Sequence, residues 1–397
     1  MLDTGFYPGN LGAGVVALPR NTGEVRAIVD LCRAHKVSIV PHGGRTGLAG
    51  AGASVPGQLI MDLKSMNAVS EPDTDTGTIS VQAGATLQAV QEACASHGLT
   101  PGIDLAARGS ATIGGMIATN AGGMEAFRCG VMRQRVLGLE AVLPDGSLLS
   151  DMTHVSKANE GLDIKQLLVG AEGRLGIITG AVLKLDALPG ATSTALVSFE
   201  RAVSAVEAFH RLQAQGGLLR AEIMWRAYAD IVAQDVGLSD LITPFPGPVL
   251  VLFEHAGATQ EDAQTIQQET LVPFMENGTA GHAVIAQNDR QSSDFWRLRE
   301  ESWAVERRWP GGYWYDVSVP LNGLDQYVCK LEADLKAIAE NVHFSCMGHL
   351  GDGNLHITVT APGGNPLDKA HVDEAVFSRL KAMGGSFSAE HGIGLEK

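Results

Sequence analysis

In the stretch Met347 to Thr358, MGHLGDGNLHIT, His349 and His356 stand seven residues apart, with Gly351, Asp352, Gly353 and Asn354 between them. On a helix that step is ~10.5 Å of rise, too far for two side chains to share one ion. The glycines favour turns instead. The expected form is a loop that doubles back into a strand over His356 to Thr360 and so brings the imidazoles together. Near the C-terminus, SAEHGIGLEK carries Glu390 and His391. His349, His356 and Glu390 make a three-ligand set that leaves one coordination position for substrate, the pattern of a catalytic divalent metal site. The plainer alternative leaves both histidines as turn and strand residues with ordinary hydrogen bonds. The glycine-rich loop and the Glu-His pair beside further glycines weigh towards the metal.

Other glycine clusters suggest other ligands. Glycine makes up 48 of 397 residues, roughly 12% against an average near 7%. In PHGGRTGLAGAGA, Pro41 to Ala53, the N–H groups around Gly43, Gly44, Gly47, Gly50 and Gly52 can converge on an anion such as a pyrophosphate, with Thr46 adding a hydroxyl. The stretch is neither a P-loop nor a GxGxxG turn, and a flexible surface loop is the alternative. Between Pro101 and Gly130, Gly109, Gly114, Gly115, Gly122, Gly123 and Gly130 alternate with small residues. Such a run suggests a flat ligand lying against backbone, because a packed core would want Leu, Ile and Val. Ser110, Thr112, Thr119 and Asn120 would offer it hydrogen bonds. Gly170 to Leu185, GAEGRLGIITGAVLKL, is a further glycine-rich loop, with Glu172, feeding a strand.

Composition sets the limits. At 397 residues the chain is long enough for two or three domains, and 45% hydrophobic with 18% charged residues describes a folded globular protein. A formal charge of -15 argues against nucleic acid or an anionic membrane surface as partner. An acidic substrate would need a local cationic site. No apolar run reaches the ~20 residues of a membrane span, and MLDTGFYPGN has no signal-peptide pattern. Five scattered cysteines indicate neither a disulfide framework nor a zinc knuckle. The expected location is a reducing compartment, the cytoplasm, or the mitochondrial matrix in a eukaryote.

The elements that must position these residues read as follows. An edge strand over Val15 to Leu18 precedes a helix over Val25 to His35, whose cap region is Asn21 to Glu24. A strand over Val37 to Val40 stops at Pro41. Strands at Leu59 to Leu63 and Ile79 to Ala83, a helix at Leu87 to His97, and a strand at Val136 to Leu143 with a turn into Leu148 follow. A boundary falls near Leu188-Pro189-Gly190. Beyond it the alternation strand 194–199, helix 202–215, strand 221–225, strand 249–254, helix 260–269, strand 282–286 gives a split-ferredoxin pattern. One helix over Asp294 to Arg308, a strand over Tyr313 to Val319, a helix over Leu324 to Glu340 and a strand over Val342 to Cys346 then lead to His349. A last helix covers Val372 to Met383.

Six motifs occur in order: PHGGRTGL, SATIGGMIATNAGG, LGLEAVLPDG, GAEGRLGIIT, GHLGDGNLH and EHGIG. With them the chain resembles the FAD-dependent D-2-hydroxyacid dehydrogenases of the vanillyl-alcohol-oxidase type. D-lactate dehydrogenase, the glycolate oxidase FAD subunit and D-2-hydroxyglutarate dehydrogenase belong to that family, and NEGLDIKQLLVGAEGRLGI is most similar to the last. The resemblance covers nearly the whole chain.

It implies an α+β protein: a two-lobed α/β FAD-binding domain over 1–188, a substrate (cap) domain with a ferredoxin-like antiparallel sheet over 189–383, and 384–397 as the start of a C-terminal flavin-site segment. Relatives continue beyond EHGIG, so that segment is expected to be truncated. FAD would be held by Pro41, His42, Gly43, Gly44, Arg45, Thr46 and Gly47, by Ser110, Thr112, Gly114, Gly115, Ala118, Thr119 and Asn120, by Gly122 and Gly123, and by Glu172, Gly176 and Ile177. A covalent link, if present, would fall on His42. A divalent metal, most often zinc, would sit on His349, His356 and Glu390. His391 would act as base, and Arg299 would grip the substrate carboxylate, as a guanidinium does bidentately.

The implied reaction oxidises a D-2-hydroxy acid to the 2-oxo acid, with hydride passing to flavin N5 while the metal polarises the hydroxyl. The acceptor for the electrons would be a quinone, a cytochrome or an electron-transfer flavoprotein, and a homodimer is left open. Relatives acting on dicarboxylates carry Lys where this chain has Trp314, Thr where it has Trp303, and Asn where it has Thr358. Losing a cation and gaining two indoles predicts a monocarboxylic substrate, lactate-like or with an apolar tail, over 2-hydroxyglutarate. In the alternative, both tryptophans are core residues. D-2-hydroxyglutarate dehydrogenase proper, a metal-independent flavoprotein oxidase and a non-catalytic, truncated FAD-binding protein are the rival readings.

Overall fold

A computed structural model describes residues 5–362 and 367–397. Two units divide the chain, Met1–Leu188 with Glu390–Lys397, and Pro189–Ala389.

In the first unit, Asn21 starts the helix Thr22–His35 by accepting a hydrogen bond from the Glu24 N–H at 2.9 Å. Val25, Val29 and Cys32, at helical spacing, turn inwards. The helix feeds a three-stranded parallel sheet in which Leu59–Asp62 lies between Val16–Ala17 and Ile39–His42. The strand expected to stop at Pro41 in fact continues to His42. It is an edge strand, so the missing proline N–H breaks no ladder. A four-stranded antiparallel sheet follows, in the order Thr78–Gln82, Ile177–Lys184, Val136–Val142, Leu148–Asp151. The small-residue run between Pro101 and Gly130 contains a helix, Ile113–Thr119, that its composition did not suggest. Part of that run serves packing: a β-carbon on Gly114 would come within 2.6 Å of the Ala83 Cβ. Met61, Val81, Val90, Ile117, Leu139 and Ala181 belong to the core of this unit.

The second unit is built on a seven-stranded antiparallel sheet. Its order is Ala280–Ile285, Ala191–Phe199, Val249–Gly257, Leu218–Trp225, His343–His349, Asn354–Thr360, Tyr313–Ser318. The first four strands have the ferredoxin-like arrangement, and the last three extend it. Between Leu218–Trp225 and Val249–Gly257 the chain inserts the helices Arg226–Val236 and Ser239–Ile242, which the sequence pattern did not reveal. The helix expected to end at Glu269 runs on to Glu276 through Pro273, because Leu271 and Phe274 bury beyond that point. An interior proline costs about 3 kcal/mol, and burying those two side chains offsets it at roughly 1.5–3 kcal/mol each. The single helix expected over Asp294 to Arg308 is two, Asp289–Glu300 and Trp303–Arg308, broken at Glu301 and Ser302. Among the described residues no helix is long and apolar enough to cross a membrane. All five cysteines are free thiols, and burial pushes that of Cys94 up to about 11.

Candidate functional site

The doubling-back expected between His349 and His356 is a β-hairpin: His343–His349 pairs with Asn354–Thr360, and His349 lies opposite Asn354. The turn depends on its glycines. A β-carbon on Gly348 would run into the Asn354 carbonyl, and one on Gly353, at φ +73°, into that of Val319. Strand alternation then assembles one face. Glu222 lies opposite His349, Met347 opposite His356, and His356 opposite Asp316. The two imidazoles meet edge to face, with centroids 5.4 Å apart. A ring nitrogen of each lies within 4.8 Å of the other, against about 3.4 Å for two nitrogens on one tetrahedral zinc.

Each imidazole has a buried carboxylate on its Nδ1 side. Glu222 Oε1 lies 2.8 Å from His349 Nδ1, and Asp316 Oδ1 lies 3.8 Å from His356 Nδ1. Both carboxylates are 0% exposed. The Glu222 carboxylate accepts and does not donate, so at 2.8 Å it keeps the His349 proton on Nδ1 and the lone pair on Nε2, whereas at 3.8 Å Asp316 is a charged neighbour of the His356 Nδ1 and not its hydrogen-bond partner. Asp316 is itself held by Asn354 Nδ2 at 2.9 Å and by the Ala389 N–H at 3.0 Å. The second oxygen of Glu222 accepts from Arg299 Nε at 2.6 Å. Arg299 is buried near the end of its helix, its carbonyl accepting from the Tyr228 hydroxyl at 2.8 Å. Burial raises the Tyr228 pKa and keeps the phenol protonated.

Glu222 and Tyr228 contact the candidate site residues and were missed in the sequence, and Asp316 and Asn354 were noticed only within their motifs. A signal was there. Glu222 and Asp316 stand among the apolar residues of their strands, and a charge buried in a strand needs a partner. Trp303 and Trp314 are not core residues: they are 47% and 42% exposed, with rings 6.1 Å apart. Trp314 lies opposite Thr358 on the same sheet face as Asp316 and His356, and its indole donates to Glu306 Oε2 at 3.2 Å.

In the first unit the loop after His42 lines a cavity of about 380 Å³ together with Lys64, Ser110 and Thr112. Gly43 and Gly44 must be glycine there, since a β-carbon on either would collide with Thr112 Oγ1 or the Ser110 carbonyl. Arg45 adopts φ +56° and reaches Asp62 at 3.0 Å, and Lys64 lies 3.9 Å from the same carboxylate. The Arg45 Nε and His42 Nδ1 atoms are buried without a hydrogen-bond partner. A cavity with two cations and buried polar atoms left over fits the diphosphate of a dinucleotide.

Other expected FAD residues serve the fold as well. Thr112 caps the helix Ile113–Thr119, Thr119 donates to the Gly115 carbonyl at 3.1 Å, and Asn120 accepts from the Arg133 N–H at 2.9 Å. Of the four non-glycine residues with positive φ among those described, Arg45, Asn120 and Glu172 lie in these motifs. Such backbone strain collects at ligand sites. Glu172 also accepts from the Ile393 N–H at 2.7 Å. Glu390, expected on the metal, lies in this unit and accepts from the Gly123 N–H at 2.6 Å.

Comparison with known proteins supports an FAD-binding chain. Residues 13–151 match the FAD binding domain family, and residues 188–397 match the C-terminal domain of FAD linked oxidases. The D-2-hydroxyglutarate dehydrogenase of Xanthomonas citri pv. viticola is 36% identical over 392 residues, covering 96% of this chain and 81% of its own. The mitochondrial D-2-hydroxyglutarate dehydrogenase of Bos taurus is 34% identical, covering 96% and 70%. Among solved structures, p-cresol methylhydroxylase with substrate bound superposes with a TM-score of 0.73 at 16% identity over 96% of this chain and 81% of that one. Alkyldihydroxyacetonephosphate synthase gives 0.72 at 18% identity over 94% and 71%. The chain belongs to the FAD-linked oxidases, and within them to the FAD-dependent D-2-hydroxyacid dehydrogenases of the vanillyl-alcohol-oxidase type.

Proposed function

We propose that this enzyme oxidises a D-2-hydroxy monocarboxylic acid to its 2-oxo acid, with FAD held in the first unit and a divalent metal, zinc, on His349 and His356 of the second. The observation that carries the metal is the carboxylate behind each imidazole, because metal-binding histidines are oriented by such partners. When bound, the flavin supplies the two-electron acceptor and the metal the Lewis acid. The chain's own residues do the rest. Glu222 fixes the His349 imidazole, Asp316 places a negative charge beside that of His356, and Arg299 orients the substrate carboxylate. On the sequence resemblance alone, Glu390 is the third ligand and the His391 imidazole takes the hydroxyl proton. The electrons pass on to a quinone, a cytochrome or an electron-transfer flavoprotein, the acceptors of similar enzymes.

The monoacid reading is supported by Trp303, Trp314 and Glu306. Two exposed indoles and a carboxylate offer an apolar contact and a negative charge where a second substrate carboxylate would want a cation. The names of the relatives favour a second reading, D-2-hydroxyglutarate as substrate.

Anaerobic bleaching of the bound flavin by a panel of D- and L-2-hydroxy acids decides between them. D-lactate or a D-2-hydroxy acid with an aromatic tail is expected to bleach it at least tenfold faster than D-2-hydroxyglutarate. Equal rates would overturn the monoacid reading, and no bleaching by any member would overturn the reaction. Dialysis against a chelator should abolish bleaching and leave flavin absorbance unchanged. Undiminished bleaching would remove the metal.

A further inference from the structure

We infer that Glu222 is a positioning residue, serving at once the imidazole of His349 and the guanidinium of Arg299. The inference rests on the reading that His349 binds a divalent metal. Glu222 stands in the middle of the strand Leu218–Trp225, 0% exposed, and each of its oxygens faces a different partner. Oε1 is 2.8 Å from His349 Nδ1 and Oε2 is 2.6 Å from Arg299 Nε. Arg299 Nη2 comes to 3.5 Å from the same His349 nitrogen. One carboxylate therefore sets two things the reaction needs. It keeps the His349 lone pair on Nε2, and it fixes the plane of the arginine that meets the substrate.

A plain ion pair would not need both oxygens divided in this way. The division makes the acid irreplaceable by its amide. Glutamine has one accepting oxygen and one donating nitrogen, so it can satisfy only one of two N–H partners. Arginine stays protonated and keeps its N–H, whereas imidazole can move its proton to the other nitrogen. In E222Q the amide oxygen therefore goes to Arg299 and the amide N–H faces His349 Nδ1. The imidazole becomes the Nε2–H tautomer, and the lone pair is withdrawn from the metal.

The test uses the full-length flavoprotein and zinc. Zinc affinity is measured without substrate by competition with a chromophoric chelator, beside flavin absorbance, kcat and KM at saturating zinc. E222Q is expected to bind zinc roughly 10- to 100-fold more weakly with flavin content unchanged. R299M should raise KM while binding zinc no more weakly than the wild type, because Glu222 still holds His349. Should E222Q give no folded flavoprotein, E222D replaces it with the same expectation: it keeps the charge but is too short to reach both partners. Wild-type zinc affinity in the Glu222 variant would overturn the inference. So would an equal loss in R299M, since the trio would then be a folding element only. A wild type that binds no zinc would instead bring down the metal reading on which the inference stands.

Discussion

His42, 3% exposed at the end of its strand, faces the Gly52 carbonyl at 2.8 Å through Nε2. Burial lowers its pKa, the hydrogen bond to Gly52 opposes that, and the nearby Arg45 adds to the lowering. The unfolded chain thus takes up a proton near pH 6.5, and the folded chain does so only at lower pH. The sign follows: stability from this residue is full above about pH 6.5 and is lost as pH falls through the lowered folded value. In H42N, which cannot titrate, the fall in Tm between about pH 7 and pH 5 should be shallower than in the wild type. Parallel curves would show that His42 titrates alike in both states. At this scale the sequence was informative wherever a residue's type is unusual in its setting. His349, His356 and Arg299 stood out by chemistry and motif. Glu222 did not, because its meaning lies in a partner 127 residues away, and only strand register brings the two together.

The hairpin that carries both histidines is the element on which the site depends, and in Gly353 a left-handed φ and a close approach coincide. At φ +73° an alanine there is strained, and its β-carbon would also collide with the Val319 carbonyl. Gly278, which follows the helix Gln260–Glu276, has φ +75° and nothing within 4 Å, so it carries the backbone penalty alone. Both G353A and G278A should lose about 1–3 kcal/mol, or roughly 2–4 °C of Tm per kcal/mol in a unit of this size. G353A should lose the more, and it alone should lose turnover, because the collision displaces the turn between the two imidazoles. Equal Tm losses with turnover kept in both would show that the hairpin tolerates the shift. Element types were legible where periodicity ran unbroken, as in the ferredoxin-like strands and the helix Thr22–His35. They were not where tertiary packing overrode local preference. The helix expected to end at Glu269 is carried on to Glu276 by the buried Leu271 and Phe274. Glycines read as a ligand bed also formed the helix Ile113–Thr119.

For the whole molecule, the formal charge of -15 acts against the chemistry proposed for it. The substrate is an anion, and the cation expected to grip it, Arg299, is already paired with Glu222. Beyond the reach of direct contacts, the field therefore repels the substrate. The Debye length shrinks from about 30 Å at 0.01 M salt to about 8 Å at 0.15 M, so adding salt should remove that repulsion. The second-order rate constant for anaerobic flavin bleaching, taken at low substrate in stopped flow, is expected to rise over this range. This runs opposite to the behaviour of an electrostatically steered enzyme, whose rate falls with salt. The rise should be steeper for doubly charged D-2-hydroxyglutarate than for a singly charged acid, because repulsion scales with the substrate's charge. A rate that falls with salt for both would mean that a local cationic funnel outweighs the global field. Dicarboxylates would then gain the most from that funnel, and the case for an uncharged substrate tail would have to rest on Trp303 and Trp314 alone.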